Sequence, residues 1–472
     1  TLDGTLFPYT TLFRSGTDGN HADGKVFVQH RLQSFRRSEI DDVLVWGSHG
    51  RRIAKYAAPV NSSTCQDFAS FTMGPVSGRI RGMKAYLDNM ASTPADPDVM
   101  NRAAARLAGI FGNPHSTLHP FGREAAAVLS EARALVAGAI SARPDEIVFT
   151  PSATIADNLA VLGIARARKR RGRHIVVSAI EHPAVLMAAL HLRQEEDFEV
   201  DLVMPDQGGI VRPEAVAALL RPDTTLVSVM AVNNEIGTIQ PIQAIASVAK
   251  GCGAFFHTDA SQAPGRISLD FVRHADLVTL SSHKVHGPRG AGALMIRRRR
   301  DINIKPLFFG GGQEGGICSG TANVDAALAF GMALDRAVKR REVDSAHVAR
   351  LSAELARGVM AAFPGSVVVG DREMSIPHCL SIRLEGIPGE TFVSRMARVG
   401  VAVSLGSACH GDPAAPSHVL TAIGMTAAEA RRTVRFGLGR FTTAEEIAYA
   451  EQMATSLAGE LLSGRQAAEA RS

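Results

Sequence analysis

Side chains capable of chemistry stand at the ends of apolar runs in this sequence. After DLVTL (276 to 280) come Ser281, Ser282, His283 and Lys284, and after AFFHT (254 to 258) come Asp259 and Gln262. After EIVFT (146 to 150) comes PSAT, with a helix predicted to open at about Thr154. The N–H groups near Ala153 and Thr154 and the neighbouring hydroxyls would then face one point, an anion site suited to a phosphate. Glu181 and His182 follow HIVVSAI (174 to 180), and Cys409 lies in SLGSACHGDP, a segment rich in Gly and small residues.

Each feature alone has a plain structural reading. Ser and Thr are common helix caps without any ligand, a strand-end lysine usually reaches solvent, and a single histidine is more often a cap or a core residue. Together they fit one chemistry. Pyridoxal 5'-phosphate acts as an electron sink and needs a lysine amine for its aldehyde, a carboxylate for its ring nitrogen and a cradle for its phosphate. Lys284, Asp259 and the turn at 151 to 154 offer these three, and an imidazole at His182 could stack on the ring and exchange protons near neutral pH. Cys409, in a loop expected to be movable and partly exposed, can attack as a thiolate. Cys379, inside HCLSIRL, and Cys252, at a helix end, read as packing residues.

The elements that must position these groups form an α/β pattern from Lys84 onward. Strands are predicted at 146 to 150, 174 to 180, 198 to 204, 225 to 232, 254 to 260, 276 to 281 and 292 to 297. Helical segments such as Thr154 to Arg168 and Pro241 to Cys252 lie between them. Short runs buried on both faces imply a mostly parallel sheet, which binds ligands at the carboxyl ends of its strands. A long helix over about 323 to 363 is the expected hinge to a smaller α+β domain with strands near 378 to 384 and 433 to 439. The expected division is a large domain at 83–335 and a small one at 336–472 that carries Cys409, with the segment near 84–100 packing on the latter.

The 472 residues are 46% hydrophobic and 21% charged, as in a folded soluble protein. No run reaches the roughly 18 apolar residues of a membrane helix. Five cysteines without a C-x-x-C spacing suggest neither a disulfide framework nor a zinc knuckle and fit a reducing, cytoplasmic compartment. Residues 1 to 82 hold 10 basic and 7 acidic residues, leaving 41 and 39 for the rest, so most of the net +5 lies outside the α/β pattern. The basic runs at 166 to 173 and 297 to 300 read as solvated faces, and no direct nucleic-acid partner is expected. Within the leader, TLFPYTTLFRS (5 to 15) resembles a translated sequencing adapter, and Gly16 to Gly82 has no sustained period. Residues 1–82 are therefore expected to be non-native, with Met83 as the natural start. A transit peptide is the rival reading, against which stand seven acidic residues.

With these pieces in place, the chain resembles the cysteine desulfurases of the pyridoxal-phosphate-dependent class V aminotransferase superfamily. The resemblance runs from about Tyr86 to Glu446 and rests on YLDNMASTP (86 to 94), FGNPHS (111 to 116), EHPAVL (181 to 186), VNNEIGTIQP (232 to 241), HTDASQ (257 to 262), SSHKVHGPRG (281 to 290), GGGQEGG (310 to 316), SGT (319 to 321), SLGSAC (404 to 409) and VRFGLGRFTT (434 to 443). Ten such motifs in family order are highly specific.

The resemblance implies fold type I, as in aspartate aminotransferase. It implies that Lys284 binds the cofactor covalently, Asp259 pairs with the ring nitrogen, Gln262 bonds the ring hydroxyl and His182 stacks on the ring. Ala153, Thr154, Ser281 and His283 would hold the phosphate, with Thr321 reaching in from the second subunit of a homodimer. Asn234 and Arg435 would hold the substrate carboxylate, and Cys409 would take sulfur from L-cysteine as a persulfide and pass it to an acceptor protein. The implied role is iron–sulfur cluster assembly or another thiolation pathway. A selenocysteine lyase or another class V lyase or aminotransferase is the enzymatic alternative, and a catalytically weak sulfur-transfer scaffold the non-enzymatic one. The chain departs from the family pattern at Ser152, Ile155, Gly315, Cys318 and Leu405. Loss of a basic residue at 318 puts the partner-subunit contribution in question.

Overall fold

A computed structural model describes residues 84–298, 301–406 and 415–469, with side chains to residue 461. The leader, Met83, the run at Arg299 and Arg300, and Cys409 lie outside the described residues. The strands are β1 (Ala85–Tyr86), β2 (Ile147–Thr150), β3 (His174–Ser178), β4 (Glu199–Val203), β5 (Thr224–Ser228), β6 (Phe255–Asp259), β7 (Leu277–Ser281), β8 (Gly292–Ile296), β9 (Val367–Val368), β10 (Cys379–Arg383), β11 (Val401–Ala402), β12 (Ser404–Leu405) and β13 (Thr433–Gly437). The helices are α1 (Pro97–Leu107), α2 (Pro120–Ala139), α3 (Ala153–Arg168), α4 (Pro183–Glu195), α5 (Pro213–Leu219), α6 (Ile242–Cys252), α7 (Val324–Ala362), α8 (Gly389–Arg398), α9 (His418–Ala422), α10 (Ala427–Arg431) and α11 (Ala444–Glu469).

Seven strands form the central sheet in the order β2-β8-β7-β6-β5-β3-β4. β4, β3, β5, β6 and β7 pair in parallel, and only β8 runs antiparallel to both of its neighbours. Every residue of β2, β3, β5, β6 and β7 is buried. That is why these strands carry apolar residues on both faces instead of alternating with polar ones, as expected of a sheet covered on both sides. All seven predicted strands are present, mostly with shorter ends, while β5 begins one residue earlier, at Thr224. β3 stops at Ser178 because its hydroxyl accepts from the Ile180 N–H at 3.2 Å and turns the chain toward His182. Glu146, expected to open β2, instead lies in a 3-10 turn with its carboxylate buried against Arg297.

The helices begin where the sequence supplies caps. Ser152 Oγ accepts from Ile155 N–H at the start of α3, and His182 Nδ1 accepts from Ala184 N–H at the start of α4. α4 also has proline in its first turn, where no N–H partner is needed. α6 ends at Gly253, whose left-handed φ of 77° closes the last turn.

The 39 residues of α7 contribute to two apolar clusters. Val324 to Ala337 pack with the central sheet and α2, and Val348 to Phe363 pack with β10, β13, α8 and α11. The second cluster surrounds a four-stranded sheet, β12-β13-β10-β9. Leu87, just after β1, belongs to it as well, and β1 pairs in parallel with β11. Among the described residues no helix is long and apolar enough to cross a membrane.

Candidate active site

A cavity of ≈ 190 Å³ opens at the carboxyl ends of β5, β6 and β7. Among its lining residues are Ala153, Thr154, His182, Asn234, Asp259, Gln262, Ser281, His283, Lys284 and Arg435. Ten of the twelve site residues expected from the sequence are thus brought together. Thr321 lies apart, exposed, on a second cavity of ≈ 210 Å³ with Phe149, Gly290, Glu314 and Cys318. Cys409 is outside the described residues.

Lys284 leaves β7 on a single 3-10 turn, Ser282 to Lys284, and its Nζ donates to the Met90 and Ala91 carbonyls at 2.5 and 2.8 Å. The N-terminal motif that carries Met90 and Ala91 therefore sets the direction of the amine. Beside it, His283 has its Nδ1 3.3 Å from Ser92 Oγ. Burial first, then the charges of Lys284 and Arg289, push His283 down to about 4, so its imidazole is neutral at neutral pH.

Asp259 closes β6 and is 5% exposed, with Oδ1 accepting from Ser261 N–H at 2.8 Å. Two further buried acids, Asp157 and Glu181, stand close by. Their carboxyls are raised well above the usual range, first by burial and also by the nearness of Asp259. His257, on the same strand, is bonded to Ser228 Oγ at 2.8 Å and Thr279 Oγ1 at 3.1 Å, and burial pushes it down to about 4. A cationic ring nitrogen placed at Asp259 would thus meet an acid in a cluster where burial disfavours charge on Asp157, Glu181 and His257.

Ser152, Ala153 and Thr154, at the start of α3, line the cavity at the end where a phosphate is expected. β8 passes so close that a Cβ on Gly292 would lie 2.7 Å from Ser152 C and 2.8 Å from Ala153 N. Ser152, where the resemblance implies glycine, caps the helix through its hydroxyl.

At the opposite end Arg435, on β13, is 2% exposed. It donates to Asn234 O at 3.0 Å, Asp88 Oδ1 at 3.0 Å and Ser404 Oγ at 2.7 Å. Ser404 lies on β12 opposite Arg435, so the chain departs toward Cys409 from beside this guanidinium. On its return, Ser417 Oγ donates to Glu235 Oε2 at 2.5 Å and His418 Nε2 lies 2.9 Å from Glu181 O.

The residues fit pyridoxal phosphate on grounds of donor chemistry. The cavity holds a lysine amine, a buried carboxylate, a helix N-terminus and a guanidinium, and the hydroxyl of Ser261, which also lines it, is buried without a partner. Bottom-up reading of the sequence missed Asp157, His257, Arg266, Asp88 and Glu235. Asp157 had a signal, an acid in the otherwise apolar run from Ala156 to Ala165, where only Asn158 is also polar. Near the departure at 318, Glu314 is held bidentately by Arg133 at 2.6 and 2.8 Å, and Cys318 is buried.

A mostly parallel sheet with a lysine after one strand, an acid after its neighbour and a phosphate turn after a third defines a fold type I pyridoxal-phosphate enzyme. The chain belongs to the aminotransferase class-V family, whose model matches residues 85–449. It is 42% identical over 365 residues to the mitochondrial cysteine desulfurase of Eremothecium gossypii, covering 77% of this chain and 74% of that one. Against the cysteine desulfurase of Homo sapiens it is 39% identical over 401 residues, 85% of each chain. Among solved structures it matches a NifS-like protein with a TM-score of 0.72 and 33% identity, covering 79% of this chain and 99% of that one. It also matches SspA in complex with cysteine, with a TM-score of 0.67 and 33% identity, covering 76% of this chain and all of that one.

Proposed function

We propose that the chain is a cysteine desulfurase that converts L-cysteine to L-alanine and carries the sulfur on Cys409, for iron–sulfur cluster assembly or another thiolation pathway. The observation that carries this reading is the placement of Lys284, Asp259 and Arg435 around one cavity, with the chain leading to Cys409 departing from Ser404 beside Arg435. The names of the relatives, and the cysteine bound in the SspA structure, agree with it.

Pyridoxal phosphate, when bound, supplies an electron sink for charge developing on the substrate's carbon atoms. The protein supplies the remaining parts. Lys284 Nζ would hold the cofactor and offers an amine that can accept and return a proton. His182, whose Nδ1 accepts from Ala184 N–H, carries its proton on Nε2 and would stand against the ring. Asp259 would hold the ring nitrogen, Gln262 the ring oxygen, and Ala153, Thr154, Ser281 and the neutral His283 the phosphate. Arg435 with Asn234 orients the substrate carboxylate through a charge-assisted fork. The Cys409 thiolate attacks the substrate sulfur; an S–S bond forms and the C–S bond breaks. Its electron pair goes to carbon, which is protonated to give alanine and a Cys409 persulfide for an acceptor protein.

The domains proposed are 83–335 and 336–472, divided within α7, with β1 and Leu87 packing on the smaller one. A homodimer is proposed in which Thr321 of the partner subunit completes the phosphate site. Phe111, Leu118 and Phe309, at 78%, 97% and 87% exposure, support an apolar interface. The compartment proposed is reducing and cytoplasmic; four relatives carry the word mitochondrial in their names, and cell fractionation decides between the two compartments. The function is tested by incubating the protein with pyridoxal phosphate and L-cysteine: alanine should form, and Lys284→Ala should abolish both alanine and the cofactor's lysine-dependent absorbance.

A further inference from the structure

Arg266 lies four residues after Gln262, and its guanidinium joins two of the loops that build the cavity. Nη1 donates to Gln262 O at 3.1 Å and, over a shorter contact, to Gln262 Oε1, while Nη2 donates to Lys284 O at 3.1 Å. The group is 8% exposed, and among the described residues no carboxylate pairs with it. It lines a cavity of ≈ 20 Å³ behind Lys284 together with His286 and His378, both kept neutral by burial. The carboxylate there, Asp344, is taken by Arg340 and Arg440. Burial lowers Arg266 to about 10, which leaves it charged at neutral pH. A buried cation without a counter-ion is costly, so a role beyond packing is indicated.

We propose that Arg266 is a positioning residue that fixes the polarity of the Gln262 amide and ties it to the Lys284 turn, so that the site offers an N–H donor to the cofactor's ring oxygen. The inference rests on the assignment of Gln262 to that oxygen. Gln262 Oε1 is committed to the guanidinium. A flipped amide would set its NH₂ against guanidinium donors, so the flip is excluded. Nε2 is left to face the cavity, where it donates to Met90 O at 3.0 Å, the same carbonyl that Lys284 Nζ reaches at 2.5 Å. The two loops that carry these groups follow neighbouring strands, β6 and β7, which pair at Asp259 and Thr279. Beyond that pairing the loops separate, and Arg266 bridges them. A site built this way presents the ring oxygen with a donor, so that the oxygen accepts.

The test uses the full-length chain with pyridoxal phosphate, reading the cofactor dissociation constant and the visible absorbance maximum. Arg266→Met should weaken cofactor binding about tenfold, the loss expected for a charge-assisted hydrogen bond, and shift the maximum. In a Gln262→Ala background the same substitution should add no further shift, because Arg266 acts through Gln262. Arg266→Lys, which keeps a donor on Gln262 Oε1 but cannot fork to Lys284 O, should restore the maximum without restoring full affinity. It also serves as the deciding variant if melting of the cofactor-free proteins shows that Arg266→Met does not fold. The proposal is overturned if Arg266→Met matches wild type in both readouts, if its shift persists undiminished without Gln262, or if Arg266→Lys binds as tightly as wild type. Failure of the wild type to take up the cofactor would overturn the functional reading itself.

Discussion

Arg435 of β13 and Asp88 hold each other at 3.0 Å, with Ser404 donating to Asp88 Oδ1 at 2.9 Å and accepting from Arg435 Nη2 at 2.7 Å. The cluster fastens the N-terminal segment and the strand before the Cys409 segment to the guanidinium proposed to bind substrate. Arg435 is 2% exposed, so Asp88 is the carboxylate that offsets its charge.

Asp88→Ala should therefore destabilise the protein by about 2 kcal/mol. This is less than the ~3–5 kcal/mol of a wholly buried pair, because Asp88 is partly exposed. Asp88→Asn keeps acceptors for Ser404 and Arg435 and should cost less. Urea unfolding of the cofactor-free proteins measures both; equal stability of wild type and Asp88→Ala would refute the counter-ion role.

Glu235 predicts a pH dependence. Burial raises its carboxyl to about 7 from the ordinary 4.5, while the Ser417 hydroxyl and Arg435 pull it down. Between those values the folded protein keeps a proton that the unfolded chain has lost. The stabilisation is complete below about pH 4.5 and is lost as pH rises through about 7, on the order of 3 kcal/mol in all. The stability of wild type relative to Glu235→Gln should fall by a comparable amount between pH 5 and 8. A difference that stays flat with pH would contradict the assignment.

Gly292 predicts a loss centred on the start of α3, although a Cβ there would also lie 2.9 Å from Leu280 O on β7. A methyl group there would press on the backbone of Ser152 and Ala153, atoms that cannot swing away as a side chain could. Gly292→Ala should raise the pyridoxal phosphate dissociation constant by about tenfold or more, the scale of one lost charge-assisted hydrogen bond. Its lysine-dependent absorbance at saturation should stay that of wild type, since no Lys284 atom is among the nearest contacts of the added methyl group. Titration of cofactor into the apo-protein gives both quantities.

The strands, the phosphate turn and the lysine were legible because each is written locally: an apolar run ends and a polar group follows. β2 to β8 sit where their sequences placed them, and Lys284, Asp259 and Thr154 meet because parallel strands deliver their ends to one edge. The residues that hold these groups in place were not legible. Arg435 and Asp88 are 347 positions apart, and Arg133 meets Glu314 across 181. Neither Arg266 nor His257 has a sequence pattern that separates it from an ordinary surface arginine or core histidine. Their roles arise only when the strands are set side by side. Thr321 shows the converse, a motif residue named by resemblance that a single chain does not bring to the cavity.

The central claim is that this site removes sulfur from cysteine and places it on Cys409. Mass spectrometry of the protein after incubation with pyridoxal phosphate and L-cysteine tests it directly, with alanine measured in the same sample. The account predicts one added sulfur on the peptide containing Cys409, alanine formed in step with it, and loss of both in Cys409→Ser. Alanine formation undiminished in Cys409→Ser, or sulfur found on another cysteine, would contradict it.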